Sequence, residues 1–293
     1  VKFQSYTPEF YTSRDNLERF ERIKNFALSR DHHLLLIEKA KSVGIEFFST
    51  PLSEDWVSFL NEHVNVFKIA SGDITFETVI KKAAETGKTL IMSTGGSGVN
   101  EIDQAVSWVE DVIGRKHIRE KLLLMHCISS YPAPLDQANI KSIPFLSERY
   151  GINVGFSNHV IAPEACYAAL ALGTNVFELH FTDKKDGRTF HDHKLSFEPN
   201  DIKKFLDQAR KIKTSLGNYN KTVQPCEIET IPNIRKGLVA SRNLSKGHVI
   251  SDRDIHYARP AYGFTAAEKP FLIGKTVLQD IKTGHHLKKD SVG

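Results

Sequence analysis

Lys68 lies between Phe67 and Ile69 in an apolar run at residues 66–72, where an ammonium needs a partner or a purpose. A side chain that snorkels to solvent is the plain explanation, and an anion ligand is the chemical one. Lys68 and Ser71, Ser93, and Thr50 come from the ends of three neighbouring apolar runs, and Lys2 lies at the end of another. Several cationic and hydroxyl donors converging on one point suit a trianionic phosphate ester. A serine that caps the next helix is the simpler role for each hydroxyl. His180 ends a further apolar run and His193 follows in a polar-rich stretch. Two neutral imidazoles suit Mn2+, Zn2+ or a similar ion with open positions for water and substrate oxygens. Spacing alone fits ordinary polar histidines as well. His191 reads as a surface residue, and Gly95, Gly96 and Gly98 as a tight turn without a P-loop sequence.

Placing these groups requires strands. Strand-like runs occur at residues 1–4, 45–50, 66–72, 89–93, 122–127, 152–157 and 176–181. Stretches with apolar residues three and four apart lie between or after them, at 31–43, 76–86, 100–112, 163–172 and 200–215. Repeated strand–helix alternation means parallel strands joined by crossover helices, in a closed barrel or an open doubly wound sheet. No GxGxxG turn follows any strand, which favours the barrel. One further βα unit ahead of residue 1 would complete a (β/α)8 TIM-type barrel. Barrel chemistry sits at the C-terminal strand ends. Those ends carry Lys2 and Gln4, Ser49 and Thr50, Lys68 and Ser71, Ser93, His126 and Ser129, Ser157 with Asn158 and His159, and Glu178 with His180.

After about residue 216 the pattern changes to a polar linker, then to short alternating runs with turn residues from about 235. The phrases NLSKGHVISDRDI at 243–255 and DIKTGHHLKKDSV at 280–292 suggest an internal repeat, as a two-fold β-clip would produce. The chain of 293 residues has 39 Lys and Arg against 35 Asp and Glu, a weak excess that suits an anionic small substrate, with a solvated mixed surface as the simpler reading. No basic block with interleaved aromatics points to nucleic acid, and no apolar run reaches the ~20 residues of a membrane span. Cys127, Cys166 and Cys226 are far apart, as expected of reduced thiols in a cytoplasmic protein.

The chain resembles the sialic acid synthase (N-acetylneuraminate synthase) family and its spore-coat and nonulosonate relatives. The matching strings are VKFQ at 1–4, FFSTP at 47–51, FKIASGD at 67–73, GKTLIMSTG at 87–95 and LLMHCISSYPAP at 123–134. VGFSNH at 154–159, FELHFTD at 177–183, DHKLSFEP at 192–199, YARP at 257–260 and LIGK at 272–275 follow in the same order. The resemblance implies a phosphoenolpyruvate-condensing barrel over 1–216, a linker over 217–234 and an antifreeze-like SAF domain over 235–293. It implies catalytic roles for Lys2, Lys68, His180 and His193, the two histidines holding a divalent metal, Mn2+ or Mg2+. It implies substrate contacts from Gln4, Thr50, Ser71, Asp73, Ser93, Ser129 and Tyr131, with Arg259 reaching the site of a partner in a domain-swapped homodimer.

The implied reaction joins phosphoenolpyruvate to an N-acetylated hexosamine, N-acetylmannosamine-like, giving a sialic-acid-type nonulosonate and phosphate. A legionaminate, pseudaminate or spore-coat sugar precursor is the alternative acceptor, and a non-catalytic sugar-binding remnant the alternative role. Asn158 stands where the family has aspartate, which on the sequence alone takes one carboxylate out of the site.

Overall fold

Alternation along short strands decides which groups meet. The computed structural model describes residues 1–190 and 192–293. Seven strands pair in sequence order, all parallel: β1 (Lys2–Ser5), β2 (Phe48–Pro51), β3 (Val66–Ile69), β4 (Thr89–Ser93), β5 (Leu122–Cys127), β6 (Val154–Asn158) and β7 (Phe177–Leu179). Parallel neighbours need crossovers. Helices Arg30–Ser42, Glu54–Leu60, Glu77–Glu85, Val99–Ile113, Ser142–Tyr150 and Glu164–Ala171 supply them, and Pro199–Leu216 follows the last strand. The sheet curls as a barrel wall does. Lys2 Nζ on β1 meets Glu178 Oε1 on β7 at 2.9 Å, although these two strands are not neighbours in the ladder.

Each strand gives one face to the helices and one to the barrel interior. Phe67 and Ile69 are fully buried in the core between sheet and helices, and Lys68 between them takes the interior side. Helix Val99–Ile113 answers with Ile102, Ala105, Val106 and Val109, a stripe at three- and four-residue spacing. Each fully buried Ile, Leu or Phe contributes roughly 1.5–3 kcal/mol of transfer free energy, so this layer dominates the stability of the fold. Helix Ser142–Tyr150 ends at Gly151, whose φ of +66° is left-handed and favours glycine there.

Two strand boundaries differ from the apolar runs for visible reasons. The run at 45–50 becomes strand only from Phe48, because the Ile45 amide still donates to Ala40 O at 3.1 Å and closes the preceding helix. The run at 66–72 ends at Ile69, because Ser71–Asp73 turns and the Asp73 amide donates to Ala70 O at 3.0 Å. That turn brings the Ser71 hydroxyl to the Gly95 amide, which donates to it at 3.0 Å.

Asn218–Gly293 forms a second compact unit. Strands β8 (Gly237–Ala240) and β9 (Ile255–Ala258) pair antiparallel, and the rest is joined by isolated bridges. The repeated phrases meet through reciprocal bonds. Leu244 N donates to Ile281 O and Ile281 N to Leu244 O, each at 2.8 Å. Asn243 Oδ1 accepts from Thr283 N at 2.9 Å, and Asp280 Oδ1 accepts from Lys246 N at 2.8 Å. Each contact has its mate when the two phrases are exchanged, so the repeat is a local two-fold.

Asp254 is fully buried in this unit and accepts from Arg242 Nε at 2.7 Å, His248 Nε2 at 2.9 Å and Ser251 N at 2.8 Å. Burial alone would raise its carboxyl, but these donors outweigh it and hold the group well below the usual carboxylate range. A carboxyl held below its unfolded value of about 3.9 adds stability above that pH and loses it as the pH falls further. Asp254→Asn should therefore cost the second unit roughly 1.5–3 kcal/mol at neutral pH, as hydrogen bonds to a charged acceptor are lost while Arg242 stays solvated, read as a lowered urea midpoint. The difference from wild type should shrink below about pH 4.

Candidate active site

Four strands deliver a chain of polar and charged contacts to the interior. Lys68 Nζ donates to Ser93 Oγ at 2.6 Å and to Ile69 O at 3.0 Å, and lies 3.5 Å from Glu178 Oε2. The other oxygen of Glu178 holds Lys2. An ammonium has three N–H groups, so Lys68, only 4% exposed, has a partner for each. Burial pushes the Lys68 ammonium down while Glu178 pulls it back up. Burial alone would raise the Glu178 carboxyl, but Lys68 and Lys2 outweigh it and hold it at about 2. Thr50 is buried near this chain's strands with no hydrogen-bond partner for its Oγ1, an orphaned hydroxyl of the kind that a ligand oxygen can satisfy.

A second group surrounds Gly95. A Cβ there would press on the Ser129 hydroxyl and lie 2.9 Å from Ser71 Oγ and 3.2 Å from Cys127 Sγ. Ser71, Ser129 and Cys127 thus converge where only glycine fits. Burial pushes the Cys127 thiol up, which keeps it protonated at neutral pH. Asp73, on the turn after β3, is half-buried, and burial raises its carboxyl to about 6 against the opposing pull of Lys68.

The third group is aromatic. The His159 and His180 rings lie 5.3 Å apart, and Tyr131 packs on both, at 4.1 Å and 5.8 Å. His159 Nδ1 meets Ile128 O at 2.6 Å, so this nitrogen carries the proton and Nε2 keeps its lone pair. Burial lowers both imidazoles, and His159 lowers His180 further. A cavity of about 540 Å3 is lined by Lys2, Phe48, Lys68, Glu178, His180 and His193, joining the cationic and imidazole parts.

A fold of this kind with these strand-end groups has counterparts. Residues 1–221 match the model of the NeuB family, and residues 235–292 that of the SAF domain. The chain belongs to the NeuB family. It is 33% identical to the N,N'-diacetyllegionaminic acid synthase of Campylobacter jejuni, over 96% of this chain and 87% of that protein. It is 28% identical to the pseudaminic acid synthase of the same species, over 99% of this chain and 86% of that one. The crystal structure of N-acetylneuraminic acid (sialic acid) synthetase from Leptospira borgpetersenii in complex with citrate superposes with a TM-score of 0.73. Identity there is 31%, over 79% of each chain. This NeuB-family chain is an enzyme of the sialic-acid-synthase type, in the barrel-plus-SAF architecture expected from its motifs.

The structure sorts the strand-end polar groups of this NeuB-family chain into two faces. Ser49 faces the helices, with Ser5 Oγ at 2.7 Å, and Ser5 in turn meets His33 Nε2 at 2.7 Å. His126 also faces outward, its Nε2 donating to Ala138 O at 2.8 Å. Asn158 corrects the sequence reading. Its amide donates to Val160 O at 2.9 Å and its oxygen accepts from Val160 N at 3.1 Å, so it folds the chain after β6 instead of altering the charge of the site.

Lys2, Lys68 and Ser93 come together, as do Ser71 and Ser129, and Tyr131 joins His180. Gln4 is exposed on β1. His193 lines the cavity with its Nδ1 on Thr182 Oγ1 at 2.9 Å, while the imidazole packed beside His180 is His159. His191 lies outside the described residues. Arg259 is exposed in the second unit. Glu178 and His159 stood at strand ends in the sequence without a role. The signal was their two-residue offset from His180 and Ser157, which puts each pair on one strand face.

Because burial favours the neutral imidazoles, His159 and His180 should stay uncharged below the ordinary histidine value of about 6.5. Side-chain NMR titration should show both imidazoles titrating below the histidines of the unfolded chain, with the neutral His159 ring protonated on Nδ1. The unfolded chain gains those protons and the folded one does not, so each imidazole makes acidification through pH 6.5 destabilising.

Proposed function

We propose that the chain condenses phosphoenolpyruvate with the open-chain aldehyde of an N-acetylated hexosamine-type sugar, releasing phosphate and a nonulosonate. The observation that carries this is the Lys2–Glu178–Lys68–Ser93 chain, two ammoniums and a hydroxyl on the interior face of the barrel. Lys68 and Lys2 would hold the phosphoryl and carboxylate groups, with Ser93, Ser71 and Thr50 donating to the remaining oxygens. The enol carbon attacks the aldehyde carbon, the aldehyde oxygen takes up a proton, and water adds at C2 with loss of one. Phosphate then leaves with its bridging oxygen. Asp73, with its carboxyl near 6, can hold the first proton and recover the second. Holding both reactants in one cavity supplies much of the rate.

A divalent ion would supply electrophilic polarisation of the aldehyde. The donor set fits one. His159 presents Nε2 because Ile128 O fixes its tautomer, His180 packs beside it, and burial keeps both neutral. His159 and His180 would hold the ion, and the His180–His193 pair from the sequence is the second arrangement. Imidazoles suit Mn2+ better than Mg2+. Among the described residues no group of three or more His, Cys, Asp or Glu is placed to hold a metal, so substrate and water oxygens would complete the shell.

Arg259 is read as a sugar contact in a partner subunit, its planar guanidinium suited to sugar or carboxylate oxygens. Mixing His180→Ala with Arg259→Ala chains should then restore part of the activity lost in each. No recovery after verified subunit exchange would remove that role.

Incubation with phosphoenolpyruvate, Mn2+ and a panel of N-acetylated sugars tests the reaction. The expected result is phosphate release matched by a product with the combined mass of the two substrates plus one water less phosphoric acid. The panel should include 2,4-diacetamido sugars, since a legionaminic acid synthase is among the similar proteins. Lys68→Ala should raise KM for phosphoenolpyruvate by about tenfold or more and leave that for the sugar nearly unchanged. Equal rises in both would contradict a dedicated anion clamp.

A further inference from the structure

Glu178 has no part in that reaction, yet it occupies the place the reaction needs. Its two oxygens sit on different ammoniums, Oε1 on Lys2 at 2.9 Å and Oε2 on Lys68 at 3.5 Å. An external carboxylate or phosphoryl group bridging both lysines would adopt the same arrangement. Lys68 has no N–H to spare. Ser93 and Ile69 hold two of its donors at 2.6 and 3.0 Å, and Glu178 takes the third at the longest distance. An anion therefore reaches Lys68 by replacing Glu178. A released carboxylate keeps a partner, because the Ser157 hydroxyl, its register partner on β6, already hydrogen-bonds Glu178 and is independent of both lysines.

We infer that Glu178 is a specificity residue, a tethered anion that competes with incoming anions for Lys2 and Lys68. This rests on the reading of those lysines as the phosphoenolpyruvate site. A tethered group acts at high effective concentration, so a free monocarboxylate of equal charge cannot displace it. Phosphoenolpyruvate and inorganic phosphate carry more charge and more acceptor oxygens, and they can. The same competition helps phosphate leave once its ester bond is cut, as Glu178 returns to the lysines. Glu178 thus rejects pyruvate-like monoanions and limits product retention.

Calorimetric titration with phosphoenolpyruvate, inorganic phosphate and pyruvate, at fixed ionic strength, tests this in wild type and in Glu178→Gln. Wild type should bind phosphoenolpyruvate and discriminate strongly against pyruvate. Glu178→Gln should bind phosphate and pyruvate about tenfold more tightly or better. Its kcat and its KM for phosphoenolpyruvate should fall together, as phosphate release slows. If Glu178→Gln keeps its melting temperature and binds these anions no more tightly, Glu178 only holds the lysines in place and the inference is overturned. Should Glu178→Gln fail to fold, Glu178→Asp replaces it, since a shorter carboxylate cannot span both ammoniums. Affinities unchanged in Glu178→Asp overturn the inference equally. A wild type that binds neither phosphoenolpyruvate nor phosphate would instead remove the functional reading, and this one with it.

Discussion

Two ammoniums inside a barrel are the constraint on which the site depends. Leaving a charge such as Lys68 unpaired in the interior would cost several kcal/mol, enough to consume much of a domain's net stability. The chain meets this by giving Lys68 three partners and by placing one carboxylate, Glu178, between it and Lys2. That compensation also draws β1 toward β7, strands that are not ladder neighbours. The side chain that balances the charge thus also links β1 to β7. A polar interior of this kind is stable as protein and poised for an anion.

Strand alternation explains why such a site can coexist with a dense core. Along β3 the sequence Phe67-Lys68-Ile69 sends two residues to the helix layer and one to the interior. Along β5 and β6 the same rule separates Cys127 and Ser157, on the interior face, from His126 and Phe156, which stack on each other outside it. Close approach then fills in the detail. Gly155 leaves room for Met125, since a Cβ there would press on its Sδ and lie 2.8 Å from Val176 O. Gly95 does the same for Ser71 and Ser129. These glycines matter for the space they leave, because neither has a left-handed φ.

The architecture was legible because its cause is local and repeated. Parallel alternation, apolar stripes at helical spacing and glycines after helices all act within a few residues of one another. The ammonium pair and its hydroxyls were legible for a related reason, since a lysine inside an apolar strand contradicts its surroundings. What escaped depended on direction and on distant partners. Asn158 looked like a lost charge until both its amide atoms were seen on the Val160 backbone. His126 looked like chemistry and proved to be packing. His159 and Glu178 were visible as residue types, but their roles come from rings and charges contributed by other strands, which spacing cannot show. His193 had the right residue type, and the imidazole packed beside His180 is His159.

The account turns on one exchange, an external anion taking Lys2 and Lys68 from Glu178. A crystal structure with bound phosphoenolpyruvate measures it directly. The predicted result is a ligand oxygen at about 2.7–3.2 Å from Lys68 Nζ, with Ser93 still in place and both Glu178 oxygens turned away from the lysines. Phosphoenolpyruvate bound elsewhere in the barrel, with the Lys2–Glu178–Lys68 bridge intact, would contradict it.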